Sequence, residues 1–532
     1  MAPPLTSLAL TVTAFLAVSM QSSCVDARNR KIETTSNWPS LQLHFTVKRT
    51  SMNVFGQSDF TMLANPILSG DDSQVLYDVH STFSEDSSTT TYTLLNGAGY
   101  LSCGSTDSPS ASCLDSESDM LPPINEIVSA INEATAMPNS LGSSDVGECS
   151  NGLFKVSVNG ISFALCASGS SGFTMTGRDL DIEVKYLETS VDIAEPTGTD
   201  ACNIVAAASS VTPIGKSLLT GTRSPTQVER NLEAEFDFDF WDDDGSSDGS
   251  CSCKSTKRPC LFIHGMGVDT EEPAVVDSFS YYWGNLTDHA PCCSSFKYTV
   301  LNTVDNAWTN DTLQQKVCDR AVSVSQRSSK TVIADTIIIT HSMGNLMVAG
   351  AIATGKCSLD SSSTWVGLAG PMQGSMASDF VQDTCAGETN FLLEKVANVT
   401  GRCPPTVALQ ALPSQGGNYS SNELNAAYTA AQEAYTKNVS ALMCSAGYSG
   451  LHSKYQAEFW ILGNVVPYKS DHNDGMVEFD SCAAGVPESK FGETWKSRFY
   501  KTKLNHYDSE FLYGDSLLDE KKMPIKWFEC LL

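Results

Sequence analysis

Between residues 28 and about 195, apolar and polar side chains alternate with period two in LQLHFTVKR, QVLYDVHSTF, TTTYTLL, FKVSV, ISFALCA and LDIEVKYLE. Successive side chains of a strand point to opposite faces, so this alternation predicts strands with one buried face each. Asn159-Gly160 separates two of these runs. That dipeptide suits a two-residue hairpin turn, whose central positions need positive φ. A helical period stands out in PPINEIVSAINEA (122–134), with proline near its start. The expected architecture of 28–195 is a β-rich α+β domain, an antiparallel sheet with a helix packed on it. It carries no recognisable chemistry, and His44 and His80 read as plain sheet residues.

From 196 to 250 the pattern lapses into small and polar residues and then into EAEFDFDFWDDDGSSDGS. Acidic residues mixed with glycine and serine predict a solvated, flexible linker. The cluster Asp242-Asp243-Asp244 lacks the spacing and closing glutamate of an EF-hand loop. Arg223 and Arg230 offer basic sites for proteolytic processing.

From about 257 short apolar runs alternate with helical patterns: RPCLFIHG, FKYTVLNTV, a helical stretch over 311–327, DTIIIT, NLMVAGAIA, TWVGLAG and EFWILGN, the last read as a strand. A run such as DTIIIT implies burial on both faces, hence a mostly parallel sheet with crossover helices. Residues 381–455 have no place in a minimal core of this kind and read as a cap or lid insertion. Within them SSNELNAAYTAAQEAYTKNVSALM opens on a Ser420-x-x-Glu423 capping box. Its apolar stripe of Leu424, Tyr428, Ala431, Tyr435 and Leu442 suits either an acyl pocket or simple packing on the core.

Composition narrows the setting. The 532 residues hold 61 Asp+Glu against 33 Lys+Arg, a formal charge of -28. Such a surface repels phosphates, which argues against nucleic acid and anionic headgroups as partners. The apolar run at 5–19 is short for a membrane span and N-terminal, as in a signal peptide over 1–27. Cleavage after Ala27 or nearer Cys24 fits, with an N-terminal anchor as the alternative. No later run predicts a transmembrane anchor.

Eighteen cysteines point to disulfides in an oxidising compartment. Cys103–Cys113 and Cys149–Cys166 suit local loops, and Cys444–Cys482 would brace the segment around Asp474. Cys251 and Cys253 lack the partner set of a zinc site. Asn285, Asn310, Asn398, Asn418 and Asn438 each open an N-glycosylation sequon. Together these features predict a secreted glycoprotein.

The chemistry concentrates in three places. DTIIIT-His341-Ser342-Met343-Gly344-NLMVAGAIA is a strand, a sharp turn and a helix, the context of a nucleophile elbow. CLFIHGMG ends a strand on His264-Gly265. There the backbone N–H of Met266, with that of Met343, would bind a developing oxyanion. Finally NDGMV and LNHYD supply an acid and a base. Of the eight histidines only His506 follows Asp474, and Ser…Asp…His is the order of one hydrolase class. Asp471 and Asp480 compete with Asp474, which is favoured because Gly475 permits a tight turn.

With these motifs in place, residues 257–510 resemble the true lipases of the α/β-hydrolase superfamily, and the elbow HSMG also resembles the lipase domain of GPI inositol-deacylases. The resemblance takes in the elbow, the His-Gly strand end, AGPMQGSMASDF (369–380) and the NDGMV/LNHYD pair. Thr340 and Asn345 stand where glycines are usual, and Met372 where a histidine is common. Asp508 matches one calcium-ligand position of such lipases, but no partner acid is clear about 20 residues before Asp474. The resemblance implies an α/β-hydrolase domain over 251–532: a mostly parallel sheet with helices on both faces and a lid. The implied triad is Ser342, Asp474 and His506, cleaving lipid or long-chain acyl esters without a cofactor. A thioesterase or GPI-lipid deacylase uses the same machinery. A reading of another class is a secreted binding protein on an inactive hydrolase-like scaffold.

Overall fold

The computed structural model describes residues 38–85, 88–103, 110–114, 117, 121–137, 149, 151–196, 202–222, 250–387, 403–453 and 455–532. The expected signal segment 1–27, the sequon at Asn398 and the acidic stretch with Arg223 and Arg230 lie outside them. The chain divides into two compact units. One runs up to Ser250 and includes Ser516–Glu520, and the other is Cys251–Asp515 with Lys521–Leu532.

In the first unit β1 (Ser40–Val47), β2 (Asp59–Leu68), β3 (Gln74–Glu85), β4 (Ser88–Leu95), β5 (Ala98–Cys103) and β6 (Ser110–Cys113) form a meander. A second meander follows in β7 (Thr135–Met137), β8 (Leu153–Val158), β9 (Ile161–Ala167), β10 (Gly172–Thr176) and β11 (Leu180–Leu187). The two join through antiparallel pairing of β1 with β11, giving the order β6-β5-β4-β3-β2-β1-β11-β10-β9-β8-β7. Burial alternates along β1 and β2 as the sequence period requires. At the β8–β9 hairpin Asn159 and Gly160 take φ of 49° and 89°, the left-handed conformations that this turn needs. The helix Ile124–Asn132 is pinned to β3 by Asn125, whose side chain exchanges hydrogen bonds with the Tyr77 backbone N–H and C=O.

Two expectations for this region are corrected. Residues 202–222 are not linker. β12 (Ser209–Ser210) pairs with β3, and Pro213–Thr220 is a helix capped by Thr212 and ended by Gly221 in the left-handed conformation. Gly215 lies so close to Asn132 that a Cβ would fall 2.0 Å from Asn132 Oδ1. The second correction is Cys113, which bonds Cys202 and not Cys103. The loop it closes spans 89 residues, which no local spacing announces.

In the second unit β13 (Arg258–Ile263), β14 (Cys293–Tyr298), β16 (Ile337–His341), β18 (Thr364–Leu368), β19 (Val439–Ser445) and β20 (Phe499–Thr502) form a parallel sheet in the order β14-β13-β16-β18-β19-β20. A small pair of β15 (Val332–Ile333) and β17 (Ser358–Leu359) stands apart. Both faces of the sheet are covered. From β13, Leu261 and Ile263 join a core with Leu313, Val317 and Leu346 of the helices Asp311–Val324 and Met343–Ala353. On the other face Phe262 meets Trp283, Tyr298 and Phe528. All five residues of β16 are buried, as its unbroken apolar run predicts.

Two further expectations fail here. EFWILGN is not a strand but lies in the helix Gln456–Val465, where Phe459 is buried and Trp460 is 44% exposed. Short apolar runs fit either element, and packing decides. The strand before Asp474 is instead β19, VSALMCS. It was hidden because Leu442 extends the stripe of the preceding helix, Asn422–Asn438. That helix is capped by Ser421 rather than Ser420, and its Tyr428, Ala431 and Tyr435 are core residues. Residues 422–445 are thus a core helix and a core strand, which removes them from any lid within 381–455.

Among the described residues sixteen cysteines pair: 113–202, 149–166, 251–530, 253–292, 260–293, 318–357, 385–403 and 444–482. This density of disulfides suits the secretory pathway or the cell exterior. No helix among the described residues is long and apolar enough to cross a membrane.

Candidate active site

The strand order reverses between β13 and β16, since β14 lies to one side and β18 to the other. In open parallel sheets such a switch point leaves a crevice at the carboxyl ends of the strands. Ser342 follows β16 at that point, as N-cap of the helix Met343–Ala353, with φ 53° and ψ -129°. A non-glycine residue holds such a conformation only where its surroundings enforce it. Glycines supply the room. A Cβ on Gly344 would fall 2.6 Å from the Ile263 carbonyl oxygen, and one on Gly265 would fall 2.5 Å from the Ser342 Cβ.

Thr340 and Asn345, which replace the expected glycines, form a buried clamp around this turn. Thr340 Oγ1 donates to Asn345 Oδ1 at 2.6 Å and accepts from Trp365 Nε1 at 2.8 Å. Asn345 Nδ2 donates to the carbonyls of Ser342 and Leu368, at 3.1 Å and 3.0 Å. The space a second glycine would have left open is recovered elsewhere. Added Cβ atoms on Gly367 and Gly370 would each fall 2.8 Å from the Asn345 side chain. The clamp was not foreseen, and the paired departures at 340 and 345 were its only signal.

His506 sits in the loop after β20, with Nε2 2.9 Å from Ser342 Oγ and Nδ1 2.7 Å from Asp474 Oδ2. Both side chains are almost fully buried. The other carboxylate oxygen of Asp474 accepts from the backbone N–H groups of Met476 and Val477, at 2.8 Å and 2.6 Å. A tight turn with Gly475 at φ 87° makes this possible. The Asp474 carbonyl also accepts from His506 N–H at 3.0 Å, tying the two loops together. The competing acids Asp471 and Asp480 are exposed. Around the turn, Ser375 Oγ donates to the Met476 carbonyl, and the Cys444–Cys482 disulfide joins β19 to the short helix after it.

No family model matches the chain, and no curated protein matches it. Solved structures that it resembles include a Staphylococcus hyicus lipase, at 15% identity and TM-score 0.30, over 52% of this chain and 94% of that one. Lipase 1 from Pelosinus fermentans is similar at 13% identity and TM-score 0.27, over 52% of this chain and 97% of that one.

At the end of β13, His264 Nε2 accepts from Leu301 N–H at 3.0 Å, so Nδ1 carries the hydrogen and donates to the Gly265 carbonyl at 2.8 Å. Burial lowers the His264 pKa to about 4 and keeps the ring neutral. Among the described residues, neither the Met266 nor the Met343 N–H donates to a protein acceptor. Asp508 is buried, and its Oδ2 accepts from the backbone N–H groups of Leu451 and Asn505, at 2.7 Å and 3.1 Å. Burial pushes its pKa up to about 7. No group of three or more His, Cys, Asp or Glu able to hold a metal ion gathers among the described residues. Of the sequons, Asn285, Asn310 and Asn418 are exposed, while Asn438 is half-buried.

Proposed function

We propose that this chain is a serine hydrolase of the α/β-hydrolase type that cleaves carboxylic esters, with Ser342 as nucleophile, His506 as general base and Asp474 orienting the base. The observation that carries the reading is the unbroken line from Ser342 Oγ through the His506 ring to Asp474 Oδ2. Two backbone donors already occupy the far oxygen of Asp474, which leaves Oδ2 to fix the tautomer with the hydrogen on Nδ1. Nε2 is then free to take the Ser342 proton as Oγ attacks the ester carbonyl. The oxyanion that forms is bound by the Met266 and Met343 N–H groups. His506 returns the proton to the leaving alcohol, and the same histidine then activates the water that releases the acid.

The substrate proposed is a lipid or long-chain acyl ester. Phe459 packs on Gly475 beside the acid, and its helix leaves Trp460 and Val465 exposed. Apolar surface on that helix suits an alkyl chain better than a small polar acyl group. The protein is proposed to act after secretion, with residues 1–27 removed and the sequons glycosylated.

Labelling with a fluorophosphonate probe tests the activity. The wild type takes up the probe and Ser342→Ala does not. A series of p-nitrophenyl esters of rising acyl length tests the substrate class. Preference for acetate over longer chains would remove the lipid assignment and leave the hydrolase one standing.

A further inference from the structure

Behind the elbow lies a second set of buried polar side chains that the acyl transfer does not use. His341, the residue before Ser342, has Nε2 3.0 Å from the backbone carbonyl oxygen of His506. Its Nδ1 lies 2.6 Å from the Tyr282 hydroxyl and 3.4 Å from Glu510 Oε1. The same hydroxyl accepts from Gly265 N–H at 2.8 Å. One tyrosine thus touches the strand end that leads to Met266 and, through His341, the loop that carries the base. Tyr282, His341 and Glu510 are all buried.

Counting hydrogens gives the set a direction. A carbonyl oxygen only accepts, so His341 Nε2 carries the ring hydrogen and donates to His506. In a neutral ring Nδ1 is then bare and takes the single hydrogen of the Tyr282 hydroxyl. A charged Glu510 would face that lone pair and the hydroxyl oxygen with no hydrogen between them, whereas a neutral carboxyl supplies one. Burial, with Asp508 nearby, pushes Glu510 well above the usual carboxyl range. Burial, helped by the neighbouring His506 and His264, pushes His341 well below the usual imidazole range. Both shifts favour the neutral forms, for which the run of hydrogen bonds closes.

We infer that Tyr282, His341 and Glu510 form a positioning network, a one-directional run of hydrogen bonds from Glu510 through Tyr282 and His341 to the His506 carbonyl. It holds the base loop and the Gly265 strand end in register with Ser342. The inference rests on the serine hydrolase reading, and these residues act through His506 and Gly265 rather than on the reacting atoms. Small displacements matter at such a site, since a misplacement of about 1 Å costs roughly 10²-fold in rate.

The test measures kcat and KM per active site titrated with fluorophosphonate. A purely structural role would lower the number of titratable sites and leave the rate per site alone. Tyr282→Phe removes the acceptor for Gly265 N–H and the donor to His341. Its kcat per site is expected to fall roughly 10- to 100-fold with KM within about twofold. Glu510→Gln keeps a neutral donor and is expected to stay within about threefold of wild type, as a neutral carboxyl predicts. Should Tyr282→Phe not fold, His341→Asn serves, because its shorter side chain cannot span from Tyr282 to the His506 carbonyl. An unchanged kcat per site in the substituted protein overturns the network, and so does a Glu510→Gln loss as large as that of Tyr282→Phe. A wild type that takes no label at all removes the hydrolase reading itself, and the network with it.

Discussion

In the antiparallel unit β1 buries every second side chain over most of its length, whereas in the parallel unit all five residues of β16 are buried. Buried polar groups differ too. In the first unit Asn125 fastens a helix to a sheet, and Glu117 accepts from its backbone and side-chain N–H groups. In the second, Ser342, His506, Asp474, His341 and Asn345 converge on one strand end and satisfy one another. Meander strands are joined by short turns and turn their side chains over a broad face. Parallel strands deliver all their carboxyl ends to one edge, so residues far apart in sequence meet there. The difference explains why the candidate site gathers in one half of the chain.

The largest expected effect sharpens that contrast at the acid. Asp474→Asn should lower kcat by about 10³- to 10⁴-fold by supporting the wrong tautomer of His506, while Asp471→Asn and Asp480→Asn leave it unchanged. Steady-state kinetics on a p-nitrophenyl ester decide the matter. Equal losses at Asp471 would move the acid elsewhere.

A buried carboxyl outside the triad gives the next effect. A carboxyl whose pKa is raised on folding is protonated in both states at low pH. It costs stability progressively as the pH rises from its unfolded value near 4 towards its folded one. For Asp508, raised to about 7, the full cost is on the order of 4 kcal/mol. Asp508→Asn should therefore gain stability relative to wild type between pH 4 and pH 7, read as the difference in Tm. A difference that is flat with pH would show that Asp508 is charged when folded.

The smallest effect belongs to the antiparallel unit. Asn125→Ala leaves the Tyr77 backbone N–H and C=O without their side-chain partner and should cost about 1–3 kcal/mol in denaturant unfolding. The rate per titrated active site should not move. A loss of kcat would break the separation of roles drawn between the units.

How far the sequence could be read follows the same division. Period-two alternation marked the strands of the first unit, because one face of each is wet. In the second unit IIIT was legible, but EFWILGN and VSALMCS exchanged roles, because continuous burial erases the period that tells strand from helix. The elbow was legible because a tight strand–turn–helix forces Ser342, Gly344 and their flanking runs to be contiguous. Chain order alone singled out His506 as the candidate base. Tyr282 and Glu510 were not legible, since only the closed sheet brings segments around 282, 341 and 510 together. Cys113–Cys202 was hidden for the same reason, while the helix after Thr212 did carry a cap, a proline and a closing glycine that announced it.

The most direct test is to quench the protein during turnover of a p-nitrophenyl ester and find the acyl group by peptide mass spectrometry. The account predicts a p-nitrophenolate burst matching the titrated sites, with the added acyl mass on the peptide containing Ser342 and none in His506→Ala. Acyl mass on another residue, or undiminished turnover by Ser342→Ala, would contradict it.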